Sequence, residues 1–389
     1  MADSAMIGMP PNTDRDLDVV RGWYRRFGLV NADPTKGFLF IAQPPPGYVP
    51  ESKQPAIIGG MVVVILAIVV PTVARLIARS RGQHTQLGSD DWAIVVAASV
   101  AVIYPILQIL AVVQGQGGRH TWEATYENYQ YLAYYLAISR HIFYIAVGLI
   151  KISIALFVRR IAHRASRTWT IVADVFIATV AAYTLGAMFL NIFLCSPPRA
   201  AWDMAYGGTI ATPVRCGNGI LATKILSTIH VIQGALLLLT PIVILWKVKM
   251  DKWKKGRLFV IWATGGLAVT GGLLQQLTTV IVTDDIFWQY PGILVWVSVD
   301  LCLGILTASL PVLDAAIMGS LKAARTMLGS SGQQTHLTDG GSRKDKEYSE
   351  SIEGIINKDE GTEMAILRTD EVRLDYESAE GRGSKMDTR

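Results

Sequence analysis

Seven apolar blocks, separated by shorter polar stretches, run through the middle of this chain. Each block is about twenty residues long or more, the length that an α-helix needs to cross roughly 30 Å of hydrocarbon. The predicted spans are about 56–78, 92–114, 133–158, 170–194, 220–246, 258–282 and 293–318. The pattern therefore predicts an all-α membrane protein with a seven-transmembrane helix bundle over residues 55–320.

Polar segments flank the apolar blocks on both sides. Residues 1–54 hold four aspartates within the first twenty positions and no apolar h-region, so we expect no cleavable signal peptide and a first span that targets the chain. We expect a flexible segment here, with a short amphipathic piece at 21–28 as the alternative. Residues 321–389 are polar and low in complexity and cannot bury enough apolar area to fold alone, which predicts a disordered tail.

Lysine and arginine counts in the loops orient the predicted bundle. The loops after spans one, three and five carry two, four and six of these residues, whereas the loops after spans two, four and six carry one, two and none. By the positive-inside rule the first set and the tail are cytoplasmic, and residues 1–54 lie outside. Basic residues placed in this way indicate membrane topology and not nucleic-acid binding. We expect the lipid bilayer as partner, no nucleic acid, and a multi-pass protein of the plasma membrane or an endomembrane.

Polar and charged residues lie inside the predicted spans, where they cost free energy unless they face a protein interior or a wet cavity. They are Arg140, His141, Lys151, Asp174, His230, Gln233, Gln275, Gln276 and Asp300. By depth, Lys151 and Asp174 lie in the inner half and could form an inner polar pair. The others lie in the outer half or near the midplane, with Arg140 and Asp300 as the expected outer pair. Two interpretations stay open: an outward-opening ligand pocket between spans three, five, six and seven, and hydrogen bonds that hold the helices together.

Residues for a cofactor or for catalysis do not stand out. A retinal Schiff base needs a lysine in the middle of the last span, and 293–318 contains none, since the nearest is Lys322. We therefore expect no covalent retinal and no other cofactor. His141 and His230 could bind a metal, but two isolated histidines more often make packing hydrogen bonds, so we predict no metal site and assign no catalytic residue.

Two cysteines flank the loop after the fourth span, on the predicted outer side, where oxidation can occur. A bond between Cys195 and Cys216 would close a loop of about twenty residues and contribute roughly 3 kcal/mol in the chain-entropy model. The alternative is two free thiols. Cys302 lies within the last predicted span and is expected to be a small packing residue.

Several motifs occur together in one order along the chain. They are LGSDDW (87–92), GQGGRH (115–120), LIKISIALFVRRI (149–161), CSPPRAAWD (195–203) with the later Cys216, and ASLPVL (308–313). In combination the sequence resembles the fungal rhodopsin-domain family of seven-span integral membrane proteins, which includes Pth11-like receptors and the membrane protein of the satratoxin gene cluster. The resemblance covers about 57–320. It implies a receptor-like bundle with its N-terminus outside and a bridge between Cys195 and Cys216.

The chain departs from the pattern of this family in three places. Relatives tend to have an acidic residue in span five, where this chain offers His230 and Gln233. They tend to have an arginine late in span six, where it has Gln275 and Gln276, and often a glutamate where it has Asp300. The first two changes resemble an ion pair exchanged for hydrogen bonds and indicate a specialised member.

The leading hypothesis is a receptor-like or sensor-like membrane protein. It would bind a small or amphipathic ligand from the outer side and present its loops and tail to a cytoplasmic signalling partner. The alternative is a membrane-embedded enzyme or accessory protein of a fungal secondary-metabolite gene cluster, with Asp300 or His141 as proton donor. The residues favour a binding protein over an enzyme. A transporter would have two related halves, and no internal repeat is visible.

Overall fold

A computed structural model of the chain describes residues 3–29, 31–38, 44–81, 88–245, 256, 263–274 and 285–330. The chain divides into two compact units, Met1–Ala324 and Arg325–Arg389. The helices and loops that position the candidate site belong to the first unit. The predicted disordered tail lies almost entirely outside the described residues and stays a prediction.

Helices form nearly all of the regular structure in the described ranges. In chain order they are α1 (Asp14–Arg26), α2 (Gln54–Arg81), α3 (Ser89–Val113), α4 (Tyr126–Ala165), α5 (Arg167–Ile192), α6 (Met204–Thr209), α7 (Gly219–Leu245), α8 (Ala263–Leu274) and α9 (Ile286–Ser330). Among the described residues, six helices are long and apolar enough to cross a membrane: α2, α3, α4, α5, α7 and α9. They correspond to predicted spans one to five and seven, and they confirm an all-α, multi-pass membrane protein.

Two helices, α4 and α9, begin seven residues earlier than predicted (126 against 133 and 286 against 293), and their first polar turns explain why. α4 begins at Tyr126, since the hydroxyl of Thr125 accepts from the Asn128 backbone N–H (3.2 Å) while the Asn128 side chain accepts from the Thr125 backbone N–H (3.1 Å). This reciprocal capping satisfies donors that an uncapped helix end leaves without partners. α9 begins at Ile286, where Asp285 accepts from the backbone N–H of Trp288 (3.3 Å).

The described part of predicted span six is α8, whose twelve residues are too short to cross the hydrocarbon. It lies between α7 and α9 and runs antiparallel to α7, because Gly265 faces Leu238 and Gly272 faces His230. Positions 258–262 and 275–282 lie outside the described residues. The sixth predicted span, and with it the count of seven, therefore stays a prediction.

α4 is the central helix, and it packs most extensively against α3 and α5. Its residues Ala146, Val147 and Ile150 are buried. The outward faces of other helices remain apolar and exposed, as at Val63 of α2 and Leu239 of α7. Exposed apolar faces on membrane-spanning helices contact lipid, which makes the bilayer the surroundings of the bundle.

The segment before the first span is folded, which corrects the predicted flexible segment. The backbone N–H of Ile7 donates to the carbonyl of Ala124 (2.8 Å), in the loop between α3 and α4. α1 then docks on α6, where Arg25 donates to the carbonyls of Gly207 (2.9 Å) and Ile210 (2.6 Å). The N-terminal residues therefore form part of the structured cover of the bundle.

A short disulfide-linked hairpin completes this cover. Strand β1 (Cys195–Ser196) pairs antiparallel with β2 (Arg215–Cys216), with Cys195 opposite Cys216. The two cysteines form a disulfide, which confirms the expected bridge and excludes two free thiols. We call residues 3–38 and 195–217 the cap, and the end of the bundle that they cover the disulfide end.

Buried ion pairs occupy the opposite end of the bundle, which we call the arginine end. Arg75 of α2 is fully buried, and its Nη2 lies 2.7 Å from Asp90 and 2.8 Å from Asp91 at the start of α3. Arg79 approaches the same two carboxylates at 3.5 Å and 3.2 Å. Two arginines thus balance the charge of two buried aspartates and link α2 to α3.

Candidate ligand site

A cluster of buried polar side chains lies in the middle of the bundle, between α4, α7 and α9. The ammonium of Lys151 donates to the backbone carbonyl of His230 (2.8 Å) and to Oε1 of Gln233 (3.4 Å), and lies 3.2 Å from Nδ1 of His230. On the other side of the imidazole ring, Nε2 of His230 lies 3.3 Å from Oδ2 of Asp300. We call these four residues the mid-bundle cluster.

The helices position this cluster through their periodicity. His230 and Gln233 lie three residues apart on α7, so both side chains lie on the same side of that helix. Lys151 reaches them from α4, where its long apolar stem passes along buried neighbours before the charged end finds its acceptors. The three acceptors match the three donors of an ammonium group, which explains how a lysine can be buried here.

Two predicted pairs do not form. Asp174 bonds Arg159 instead of Lys151, with Nε of Arg159 2.5 Å from its Oδ1, and this pair is about half exposed. Lys151 lies too deep in the bundle to reach that surface pair. Asp300 faces His230 and not Arg140, because Arg140 lies about three turns nearer the disulfide end of α4 than Lys151 does.

A cavity of about 470 Å³ lies at the disulfide end, and we call it the outer cavity. Its lining comes from the cap, α4, α7 and α8, and includes Arg140 of the predicted site. Cations and aromatic rings share its wall: Arg26, Arg140 and Lys224 on one hand, and Phe27, Phe143 and Tyr144 on the other. The disulfide forms part of the rim, since Cys195 and Cys216 also line the cavity.

His141 lines a smaller cavity of about 170 Å³ beside the first, together with Arg26 and Arg140. Its Nδ1 lies 2.7 Å from the carbonyl of Ala137, one turn earlier on α4. Its buried Nε2 has no hydrogen-bond partner within the described ranges. The structure therefore places Arg140 and His141 together at the disulfide end, apart from Asp300.

A third cavity, of about 200 Å³, lies on the other side of the mid-bundle cluster, and we call it the inner cavity. Its wall is mostly aliphatic, with Lys151, His230 and Asp300 at one end and Thr307, Ala308 and Pro311 of α9 at the other. The Oδ2 atom of Asp300 is buried and has no hydrogen bond of good geometry among the residues described. Because His230 lines both the outer and the inner cavity, the two meet at this residue.

The structure thus divides the predicted site residues into two groups. Arg140 and His141 lie at the disulfide end, whereas Lys151, His230, Gln233 and Asp300 form the mid-bundle cluster. Gln275 and Gln276 lie outside the described residues, so their predicted role in the pocket stays a prediction. His141 and His230 each approach a neighbouring polar atom, and the part of the chain that the structure describes contains no group of three side chains arranged to hold a metal ion.

Sequence reasoning missed the network at the arginine end. Beyond its two carboxylates, Arg75 donates through Nη1 to the carbonyl of Ala308 on α9. The hydroxyl of Ser153 on α4 donates to the carbonyl of Asp90 (2.9 Å). The available signal for this network was an arginine on the last turns of one span, followed by two adjacent acids at the start of the next.

A second missed group lies at the disulfide end. His120 stacks between Trp122 and Trp288, with ring centroids 4.4 Å and 4.1 Å away, and its Nδ1 lies 2.5 Å from Asp285. This contact joins the loop between α3 and α4 to the start of α9. The stacking of two tryptophans on one histidine depends on tertiary structure, so only the aromatic content of both loops pointed to it.

Comparison with known proteins places this architecture in a family. A family model for the fungal rhodopsin domain matches residues 74–318. A SAT4 family membrane protein of Emericella nidulans is 27% identical over 230 residues, which cover 59% of this chain and 57% of the relative. The chain therefore aligns with little more than half of that relative's length. No solved structure matches the chain. Because the family match covers more than half of the chain, from α2 to α9, the chain belongs to the fungal rhodopsin domain family.

Proposed function

We propose that the protein is a receptor-like or sensor-like membrane protein that binds a small amphipathic ligand from the outer side, without covalent retinal. The outer cavity carries this proposal. Its volume of about 470 Å³ falls within the roughly 300–1,000 Å³ of small-molecule sites, and it combines apolar walls with a few polar groups. The lysine and arginine counts of the loops predict that this end of the bundle lies on the non-cytoplasmic side.

The contacts below the outer cavity supply a route from ligand to partner. His230 lines the outer cavity and holds Lys151 and Asp300 at the top of the inner cavity. The inner cavity extends to Ala308 and Pro311 on α9. Pro311 lacks a backbone donor and weakens the helix there, and the Ala308 carbonyl accepts from Arg75. A ligand that moves His230 would therefore act on the turn of α9 that the arginine end holds, where a cytoplasmic partner would bind.

One observation supports a second candidate function, a membrane-embedded enzyme or accessory protein of a secondary-metabolite cluster. The Oδ2 atom of Asp300 is buried at the wall of the inner cavity without a well-formed hydrogen bond among the described residues. A carboxyl group in such a place could transfer a proton to or from an apolar substrate. A clustered set of biosynthetic genes around this one would favour this candidate over a receptor.

Binding to purified protein tests the first proposal. Radiolabelled octanol, octanoate and octyltrimethylammonium are equilibrated with the protein in nanodiscs of neutral lipid, and nanodiscs without protein measure lipid partitioning. We expect saturable binding of at least one probe. Ser227→Trp, which places an indole in the outer cavity, should abolish that binding, whereas Leu239→Trp on the lipid-facing side of α7 should leave it unchanged. Saturable binding that Ser227→Trp leaves intact, or no saturable binding of any probe, would overturn the proposal.

A further inference from the structure

We infer that the outer cavity selects an anionic amphipath, a molecule with a carboxylate or a similar acidic head and a compact apolar body. This inference rests on the proposed function, because it names the ligand class of the same cavity. The three cations around the cavity come from three separate elements: Arg26 from α1, Arg140 from α4 and Lys224 from α7. No aspartate or glutamate of the described chain lines the cavity with them.

Arg26 and Arg140 lie close enough to affect each other. Burial lowers the pKa of Arg26, Tyr129 opposes this by raising it, and the positive charge of Arg140 lowers it; both arginines also line the outer and the smaller cavity. The guanidinium of Arg26 is held in place through Nη1, which donates to the carbonyl of Ala201 (2.5 Å) in the cap. That bond uses one of five N–H donors. Two neighbouring cations in a partly desolvated wall repel each other, and an anion between them would relieve that repulsion.

The remaining wall suits the apolar part of such a ligand. Phe143 and Tyr144 lie on α4 one turn below Arg140, and Leu194 and Ile220 add apolar surface near the disulfide. Below Arg140 the α4 wall is therefore aromatic, so these two rings lie deeper in the bundle than the two arginines. Arginine binds a carboxylate through two parallel hydrogen bonds, which favours a carboxylate head over a neutral hydroxyl.

The cap takes part in this selectivity, because Arg26 belongs to it. α1 is separated in sequence from all the spans, yet its last turn reaches the cavity wall beside α4. Ligand binding should therefore also stabilise the docked position of α1. A cavity built from the bundle alone would have only Arg140 and Lys224.

The test compares three probes of equal chain length and different charge in the nanodisc assay. We expect octanoate to bind at least about tenfold more tightly than octanol, and octyltrimethylammonium to bind more weakly than octanol. Arg140→Gln should remove most of the octanoate preference while leaving octanol affinity unchanged. Arg15→Gln is the matched control, since Arg15 is exposed on α1 and pairs with Glu127 away from the cavity.

Each outcome decides the inference. The inference is supported if Arg140→Gln or Arg26→Gln removes the preference for octanoate and Arg15→Gln retains it. If octanoate and octanol bind with equal affinity, and Ser227→Trp abolishes the binding of both, the anion selectivity is overturned and the proposed function stands. Preference for octanoate that survives Arg140→Gln and Arg26→Gln together overturns the assignment of these residues. If no probe binds saturably to the unaltered, folded protein, the inference and the proposed function are both overturned.

Discussion

Lys151 is buried in the bundle because three acceptors surround its ammonium group. A charged group in the middle of a membrane protein is costly unless its donors are satisfied. The carbonyl and Nδ1 of His230 and the side chain of Gln233 supply acceptors, and Asp300 lies on the far side of the imidazole. The lysine is thus held at the level where the outer and inner cavities meet. Lys151 lines the inner cavity but not the outer one, where His230 forms the wall instead.

Arg75 is fully buried at the arginine end, and its contacts join α2, α3 and α9. It bonds Asp90 and Asp91 of α3 and the Ala308 carbonyl of α9. Breaking a buried ion pair by removing one partner costs about 3–5 kcal/mol, because the other charge stays buried. We expect Arg75→Ala to lower the free energy of unfolding by that amount, measured as a large fall in the melting temperature of purified protein in dodecyl maltoside.

The control for this prediction is an arginine of the same charge in an exposed pair. Arg159 pairs with Asp174, and their side chains are 44% and 49% exposed. Solvent screens such a pair, so Arg159→Ala should cost less than about 1 kcal/mol. Equal losses from the two substitutions would contradict the structural role of Arg75.

At the scale of elements, α4 connects the two polar regions of the bundle through one stretch of sequence. The LIKISIALFVRRI stretch contains Lys151 of the mid-bundle cluster, Ser153 bonded to the Asp90 carbonyl, and Arg160, whose Nη1 lies 3.6 Å from the Asp90 carboxylate. Lys151 and Ser153 are two residues apart, so they point to different neighbours of α4. The stretch therefore carries both a site residue and contacts that close the arginine end.

The GQGGRH loop has a structural basis in its backbone. Gly118 has φ of +87°, a conformation that favours glycine. Its N–H donates to the Phe287 carbonyl (2.9 Å), and its carbonyl accepts from the Lys53 N–H (2.8 Å). The loop thus ties the start of α2 to the start of α9. His120, two residues later, adds the stacked contact with the tryptophans.

Docking of α1 on α6 depends on a close backbone approach at Gly22. A Cβ atom added at Gly22 would overlap the carbonyl oxygen of Met204, and that atom is backbone and cannot move aside. We expect Gly22→Ala to destabilise the cap by about 1–3 kcal/mol, the usual cost of overpacking. Limited trypsin digestion in detergent should then cleave α1 at its arginines faster than in the unaltered protein.

Gly60→Ala is the matched control for the cap. Gly60 lies on an open face of α2, where nothing approaches within 4 Å of an added Cβ. Alanine favours a helix over glycine, so this change should leave α1 protected and the melting temperature equal or higher. Cleavage at α1 that is as slow in Gly22→Ala as in Gly60→Ala would contradict the close packing of the cap.

At the scale of the whole molecule, the cap covers one end of the bundle and the ion pairs occupy the other. The cap, the loop between α3 and α4 and the start of α9 contact one another at the disulfide end. The loop charges predict that this end is outside and that the tail is cytoplasmic. The fold alone does not assign a side, because its contacts are the same in either orientation.

Engineered glycosylation tests this orientation. Asp33→Thr completes an N-x-T acceptor at Asn31 in the cap, and Asp359→Thr completes one at Asn357 in the tail. Because N-glycosylation takes place on the non-cytoplasmic side, we expect the first variant to gain a glycan and the second to gain none. A mobility shift on denaturing gels that is removed by an endoglycosidase is the measurement. Glycan on the tail variant, with none on the cap variant, would reverse the predicted topology.

The sequence by itself determined the membrane class, the positions of the six spans that the structure describes as long helices, and the cysteine pair. It could do so because apolar length and loop composition are local properties. It also selected five residues that line the cavities, Arg140, His141, Lys151, His230 and Asp300, but not the cations Arg26 and Lys224. Tertiary structure decided how those residues are grouped: Lys151 with His230 and Asp300, Asp174 with Arg159, and Arg140 with Arg26 of the cap. Depth along a helix is readable from residue number, but the direction in which a side chain faces depends on how neighbouring helices pack. For the same reason the buried arginine network and the folded N-terminal segment emerged only when α2, α3, α6 and α9 were brought into contact.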